Sequence, residues 1–368
     1  MSNSFTYQFQ QIDEMLKGAR SILIASHENP DADAVGSTLC LNLVLKKLNF
    51  EPFLYLPHFP SKTLSFLPGF FEIKNKISEN LKFDLLFGLD YGDFRRLKLP
   101  DHIFASGLSP KNIITIDHHQ GDQKGEIKVV DPQASSTCEI IYWWLKENPP
   151  TKILNDKIGN SSIQIPTFSQ KGRDWIDKEI AVCLLTGIVA DTGGFSHVST
   201  GFKTLRAASD LLSKGVSLVK IVNQTLSIGS NFSLIICGKV LSRIKTIPEH
   251  SLVYSWLSYQ DLKNQPFSTG DPTEILDNGW ATSIISKAAT CNYALFLVEH
   301  EKGEIKGSLR SEPFKGKKVD QIAKKLGGGG HPYAAGFTKE GTIEEVLKKV
   351  IELIKYNAEE PVGKSGLI

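Results

Sequence analysis

Residues 21–33 read S-I-L-I-A-S-H-E-N-P-D-A-D: an apolar run from Ser21 to Ser26 that breaks into a polar loop carrying His27, Asp31 and Asp33. A short aliphatic run closed by a polar turn is what a strand buried on both faces looks like where a parallel sheet presents its carboxyl edge. Other apolar segments end in the same way. Phe83 to Leu89 leads to Asp90, Asn112 to Ile116 leads to Asp117-His118-His119, and the helical stretch from about Asp174 to Val189 leads to Asp191 in V-A-D-T-G-G-F. Gly36 to Leu48 has helical apolar spacing, while Phe50 to Leu56 and Ile127 to Val130 repeat the strand pattern. The gaps between the first strands are long enough for crossovers, so the expected fold is α/β, a doubly wound, mainly parallel sheet.

The chain has 368 residues, more than one ordinary core covers, and 41% apolar residues support two cores. Forty-two basic and 40 acidic side chains nearly cancel, which excludes a general nucleic-acid-coating protein. Five widely spaced cysteines, mostly in apolar segments, suit reduced thiols. Met1 to Gln11 lacks a signal-peptide pattern and no apolar stretch is long enough to span a bilayer, so a soluble, cytoplasmic protein with no membrane partner is expected. The expected division is 1–214 for the first domain, 215–245 for a helical linker, 246–357 for a smaller α/β domain and 358–368 for a loose tail. The Pro/Asn/Ser-rich stretch 148–173 is expected to be a surface insertion.

Taken one at a time, these groups have ordinary explanations. P-D and D-A-D make good turns, a His-His pair is often surface decoration, and Asp-Thr-Gly-Gly closes helices. Their conjunction points to metal. Asp31 and Asp33 need not share one direction and can serve two ions, with His27 joining Asp31 on the first and Asp90 placed to bridge. A two-metal hydrolase is the resulting expectation.

In the second half, Gly327 to Gly330 follows a helix rather than a strand, so it is not a dinucleotide fingerprint. Successive glycines can turn backbone N–H groups toward an anion, and His331, Arg310 and Ser311 can add donors. From Lys302 to Lys325, seven lysines and Arg310 face Glu304, Glu312 and Asp320, an excess that favours a phosphate-bearing ligand. Gly363-Lys364-Ser365 mimics the end of a P-loop, but Ala358 stands where a glycine is needed.

The segments S-H-E-N-P-D-A-D-A-V-G-S, F-G-L-D, I-D-H-H and V-A-D-T-G-G-F resemble, in order and spacing, the four motifs of DHH phosphoesterases. Arg310-Ser311 and G-G-G-G-H-P-Y-A-A-G-F resemble the DHH-associated domain, and the nearest subgroup is the two-domain nanoRNase and 3′-phosphoadenosine-5′-phosphate phosphatase type, often labelled exopolyphosphatase-related. Ala32 departs from the glycine usual between the two aspartates of the first motif.

The resemblance implies two divalent ions, manganese first, with magnesium, cobalt or iron as alternatives. His27, Asp31 and Asp90 would hold one; Asp33, Asp90, His118 and Asp191 would hold the other. His119 would face the scissile phosphate, and Asp117 would orient a histidine. Arg310, Ser311, Gly328, Gly329, Gly330 and His331 would bind substrate, with His119 and Arg310 also stabilising charge on phosphate oxygens. Implied partners are short single-stranded RNA or small phosphorylated nucleotides rather than long duplexes, and a homodimer is left open. The alternatives are a cyclic dinucleotide phosphodiesterase and a catalytically silent nucleotide sensor.

Overall fold

The computed structural model describes residues 5–105, 107–150, 157–158, 161–162, 174–226, 231–263, 280–287 and 290–359. Two compact units divide at Ser227/Ile228. That point falls inside the stretch 215–245, whose first helix belongs to unit 1 and whose second belongs to unit 2. Most of 148–173 and the end of the tail, 360–368, lie outside the described residues.

Unit 1 runs α1 (Thr6–Gly18), β1 (Ile22–Ala25), α2 (Ala32–Lys47), β2 (Phe53–Tyr55), β3 (Leu85–Leu89), α3 (Asp101–Ala105), β4 (Ile113–Asp117), β5 (Ile127–Val130) and α4 (Thr137–Glu147). The antiparallel pair β6 (Lys157–Ile158) and β7 (Ser161–Ser162) is followed by α5 (Lys178–Asp191), α6 (Phe202–Ser213) and α7 (Leu218–Thr225). The five long strands order as β2-β1-β3-β4-β5 and every pairing is parallel. This is the doubly wound sheet expected, and its strand order reverses between β1 and β3, where such sheets open a crevice at their carboxyl ends. Strands β1, β3 and β4 are buried throughout, which explains why they read as continuous apolar runs.

Helix α2 begins at Ala32, earlier than its apolar spacing suggests, because the Asp31 side chain caps it by accepting from the Asp33 and Ala34 amides. Gly36 lets α2 press on α5, since a Cβ there would meet the Cys183 carbonyl. At α4, Ser136 caps by accepting from Glu139 N, while the Glu139 carboxylate reaches Ser135 N rather than the cap residue's own amide.

Unit 2 contains α8 (Asn231–Ser242), β8 (Lys245–Ile247), β9 (Leu252–Leu257), α9 (Tyr259–Lys263), α10 (Trp280–Ser286), β10 (Tyr293–Glu301) and β11 (Glu304–Arg310). It closes with α11 (Asp320–Lys325), β12 (Gly329–His331), β13 (Ala334–Glu340) and α12 (Ile343–Glu359). Its sheet orders as β12-β13-β11-β10-β9-β8, antiparallel except for β9 beside β10. One face packs on α11 and α12 around Leu295, Leu297, Ile322 and Val350, and the other on α8 and α10 around Ile236, Ile285 and Phe296. Helix α12 extends two residues into the stretch expected as a tail. Strands β8, β12 and β13 had escaped the sequence pattern, β12 because glycine has no strand preference of its own. Among the described residues no helix is long and apolar enough to cross a membrane.

Asp261 ties α8 to the start of α9. Its carboxylate accepts from Ser258 N and Oγ at 2.9 and 2.7 Å, from Lys239 at 3.1 Å, and from both Arg243 Nη atoms. Burial raises its pKa, but the Arg243 and Ser258 bonds outweigh that and hold the carboxyl well below the usual range. Asp261→Asn should destabilise unit 2 by about 2 kcal/mol, less than for an enclosed pair because the two cations are partly exposed. A depressed folded pKa contributes stability above the unfolded value, about 3.9, and loses it as pH falls toward the folded value. Urea melts of parent and variant should therefore show a gap at pH 7 that narrows below about pH 4. A gap that is absent at pH 7, or as wide in acid, refutes the assignment.

Candidate metal centre

The crevice at the β1/β3 reversal collects groups from separate segments. His27 follows β1 and is buried. Its Nδ1 lies 2.7 Å from the Glu28 carbonyl, which takes the proton of the tautomer that leaves the Nε2 lone pair available. Asp31 spends Oδ1 on capping α2, and its Oδ2 lies 3.8 Å from His27 Nε2. Asp33, in the first turn of α2, is fully buried and accepts from Thr137 N at 2.7 Å and Cys138 N at 3.0 Å. Gly187 of α5 makes room for it, because a Cβ there would overlap Asp33 Oδ1.

Asp90, immediately after β3, has a left-handed backbone (φ 51°), and its amide donates to Ile116 O at 3.1 Å. Such a conformation in a non-glycine residue persists only where the surroundings enforce it. Asp117, at the end of β4, accepts from Tyr91 N and Gly92 N through Oδ2 and from His119 N through Oδ1. It thus holds the β3 turn and the His-His segment together. His119 Nδ1 is 3.0 Å from Asp117 Oδ1 and 3.3 Å from Asp90 Oδ1. Asp191 ends α5, 3.2 Å from His118 Nε2.

Three sets of ligand atoms lie within 4.8 Å of one another: His27, Asp31 and Asp90; Asp33, His118 and Asp191; and Asp90, His118 and His119. The first set is the one expected for one ion, and the second supplies three of the four groups expected for the other. Asp90 Oδ2 lies 3.9 Å from His27 Nε2, and Asp90 Oδ1 lies 3.5 Å from His118 Nε2, so Asp90 stands between the two. The association of His119 with Asp90 is an addition from the structure.

The electrostatics describe a centre that demands positive charge. Burial, with repulsion from Asp90 and Asp191, pushes the Asp33 carboxyl well above its usual value, and burial lifts Asp191 to about 6. Burial also opposes ionisation of Asp90, but His119 and His118 hold it at about 2. Against burial, Asp191 raises His118 to about 9, and Asp117 with Asp90 raises His119 to about 11. Protons on imidazoles here do what divalent cations would do. Asp90 Oδ2 is buried with no hydrogen-bond partner among the described residues, which suits an atom that faces a cation. Oxygen and imidazole donors without thiolate fit a manganese-type ion.

Two nearby contributors lie outside the sequence motifs. Thr137, beside the cap of α4, donates its hydroxyl to Asp90 Oδ1. Arg96, in the short 3-10 helix Phe94–Leu97, donates Nη1 to Tyr91 O and lies 3.1 Å from His27 Nδ1 through Nη2. Neither side chain falls in a motif.

In unit 2, Arg310 pairs with Ala334 and Ala334 with His331, so the three lie in one row across β11, β13 and β12. The next row on that face is Ser308, Gly336 and Gly329, with one small side chain among three. Arg310 is half-buried, which lowers its pKa, and no hydrogen bond or ion pair joins its guanidinium to another described residue. A guanidinium so placed suits an anion. The four-glycine expectation shrinks here. The Gly327 and Gly328 amides donate to Lys324 O and Ala323 O and close α11, and a Cβ on Gly328 would overlap the Gly336 carbonyl. Backbone packing thus accounts for Gly328, while Gly329 has open space around its Cα. Ser311 is buried and its hydroxyl donates to Asn292 O, so its proton is committed to the fold.

Two family models match the chain: the N-terminal domain of the DHH family over residues 21–188 and the DHHA1 domain over 276–356. The chain is 30% identical to the bifunctional oligoribonuclease and PAP phosphatase NrnA of Thermus thermophilus, over 94% of this chain and 92% of that protein. It is 26% identical to the protein of the same name from Bacillus subtilis, over 86% and 88%. The crystal structure of an exopolyphosphatase-related protein from Bacteroides fragilis superposes with a TM-score of 0.80 and 25% identity, covering 98% of this chain and all (100%) of that one. With the sheet order, the His/Asp crevice and both domains accounted for, the chain belongs to the DHH family of phosphoesterases, in its two-domain form with a DHHA1 domain.

Proposed function

We propose that this phosphoesterase hydrolyses very short oligoribonucleotides to mononucleotides and removes the 3′-phosphate of phosphoadenosine phosphate. The observation that carries a two-cation reaction is Asp90, buried between two ligand sets with one oxygen that has no hydrogen-bond partner among the described residues. His27, Asp31 and Asp90 would hold one manganese ion, and Asp33, Asp90, His118 and Asp191 the other. Bound there, the pair would supply Lewis acidity and lower the pKa of a shared water. His119, braced by Asp117, would donate to a non-bridging phosphate oxygen. In unit 2, Arg310 would bind a phosphate group with its planar fork, and His331 with the Gly329–Gly330 backbone would flank it. Five free, buried cysteines favour a reducing, cytoplasmic setting.

The test is a manganese-dependent assay on di- to pentaribonucleotides, phosphoadenosine phosphate, cyclic di-adenylate and pyrophosphate. Mononucleotides from the short RNAs and AMP from phosphoadenosine phosphate are expected. Turnover of the cyclic substrate with the linear ones untouched would make the protein a cyclic dinucleotide phosphodiesterase. Tight nucleotide binding without any turnover would make it a sensor.

A further inference from the structure

The start of α4 touches acidic groups from two other segments of the centre through one residue. Thr137 donates its amide to Asp33 Oδ2 at 2.7 Å and its hydroxyl to Asp90 Oδ1 at 3.1 Å. It is fully buried. The frame carrying it is anchored independently: Ser136 Oγ accepts from Glu139 N, and Glu139 Oε2 accepts from Ser135 N, Ser135 Oγ and Thr204 Oγ1. An aspartate carboxylate rotates broadly about its last torsion, so a bridging orientation needs a fixed hydrogen bond. His119 Nδ1 also approaches Asp90 Oδ1, but it lies closer to Asp117. Thr137 is the donor to Asp90 mounted on a rigid helix end.

We propose that Thr137 is a positioning residue that holds the Asp90 carboxylate across both cation positions, with Oδ1 on the His118 side and Oδ2 on the His27 side. This rests on the two-cation reading above. The hydroxyl orients one carboxylate while the amide orients another, so one helix turn sets the relation between two ligand groups that the sequence separates widely. Outer hydrogen bonds of this kind typically change metal affinity by about 10- to 100-fold when removed.

The test uses the full chain with Thr137→Val, which keeps the amide and the branched shape, and Thr137→Ser, which restores the hydroxyl. Manganese uptake is measured by isothermal titration, and coupling between the ions by electron paramagnetic resonance. The parent is expected to take up two ions with a spin-coupled signal. In Thr137→Val one ion should bind at least about tenfold more weakly, with a six-line signal from isolated manganese, and Thr137→Ser should recover the parent behaviour. If the valine variant fails to fold, judged by its metal-free melting curve, Thr137→Ala carries the same expectations. Uptake and coupling identical to the parent in the folded hydroxyl-less variant would overturn the positioning role while leaving the two-cation reading intact. A parent that takes up no manganese would overturn both.

Discussion

Asp90→Ala should cut turnover of short oligoribonucleotides by at least about a thousandfold, more than about 4 kcal/mol of transition-state stabilisation, and should lower manganese content below two ions per chain. Asp90 is shared by two of the three ligand sets and sits within 3.9 Å of both His27 Nε2 and His118 Nε2. Its removal takes a ligand from both positions and leaves His118 and His119 without the carboxylate that helps raise their pKa values. The fold should tolerate the loss, because the left-handed backbone at Asp90 is held by its amide bond to Ile116 O and by Asp117 bonding the next two amides. Metal analysis of the purified variant and single-turnover rates decide the matter together. Two tightly held ions with a parental rate would remove Asp90 from the centre.

Arg310→Ala is expected to act on binding alone, raising KM by roughly thirtyfold, since a hydrogen bond to a charged group contributes about 1.5–3 kcal/mol. No hydrogen bond or ion pair joins its guanidinium to another described residue, so truncation should leave no buried acceptor stranded and the melting temperature should change little. Manganese uptake should equal the parent's, because unit 1 alone supplies the expected ligands. Arg310→Lys should recover only part of the loss, as an ammonium lacks the planar fork that fits two phosphate oxygens. Unchanged KM in the alanine variant would take Arg310 out of substrate recognition and move that role elsewhere.

Much of this was legible in the residues. Strands buried on both faces cannot alternate, so Ile22–Ala25, Leu85–Leu89 and Ile113–Asp117 announced themselves as apolar runs, and their carboxyl ends named His27, Asp90 and Asp117. Helical apolar spacing marked α2 from Gly36 onward, and a long apolar stretch marked α5. What stayed hidden depended on partners distant in the chain. Gly329–His331 is a strand because β13 offers it a ladder, against glycine's own preference, and Gly327 and Gly328 cap a helix rather than standing free. The start of α2 was hidden too, since Asp31 reads equally well as a turn residue and as a helix cap.

By itself the sequence determined a parallel α/β domain with acids and imidazoles at its strand ends, because burial on both faces and turn chemistry are local properties that residue order records directly. Tertiary structure alone decided which atoms meet: that Asp90 stands between two ligand sets, that Thr137 touches both Asp33 and Asp90, and that Arg310 shares a row with His331. The physical reason is that such contacts are set by sheet order, register and helix packing over separations of tens of residues, where no local pattern specifies the partner.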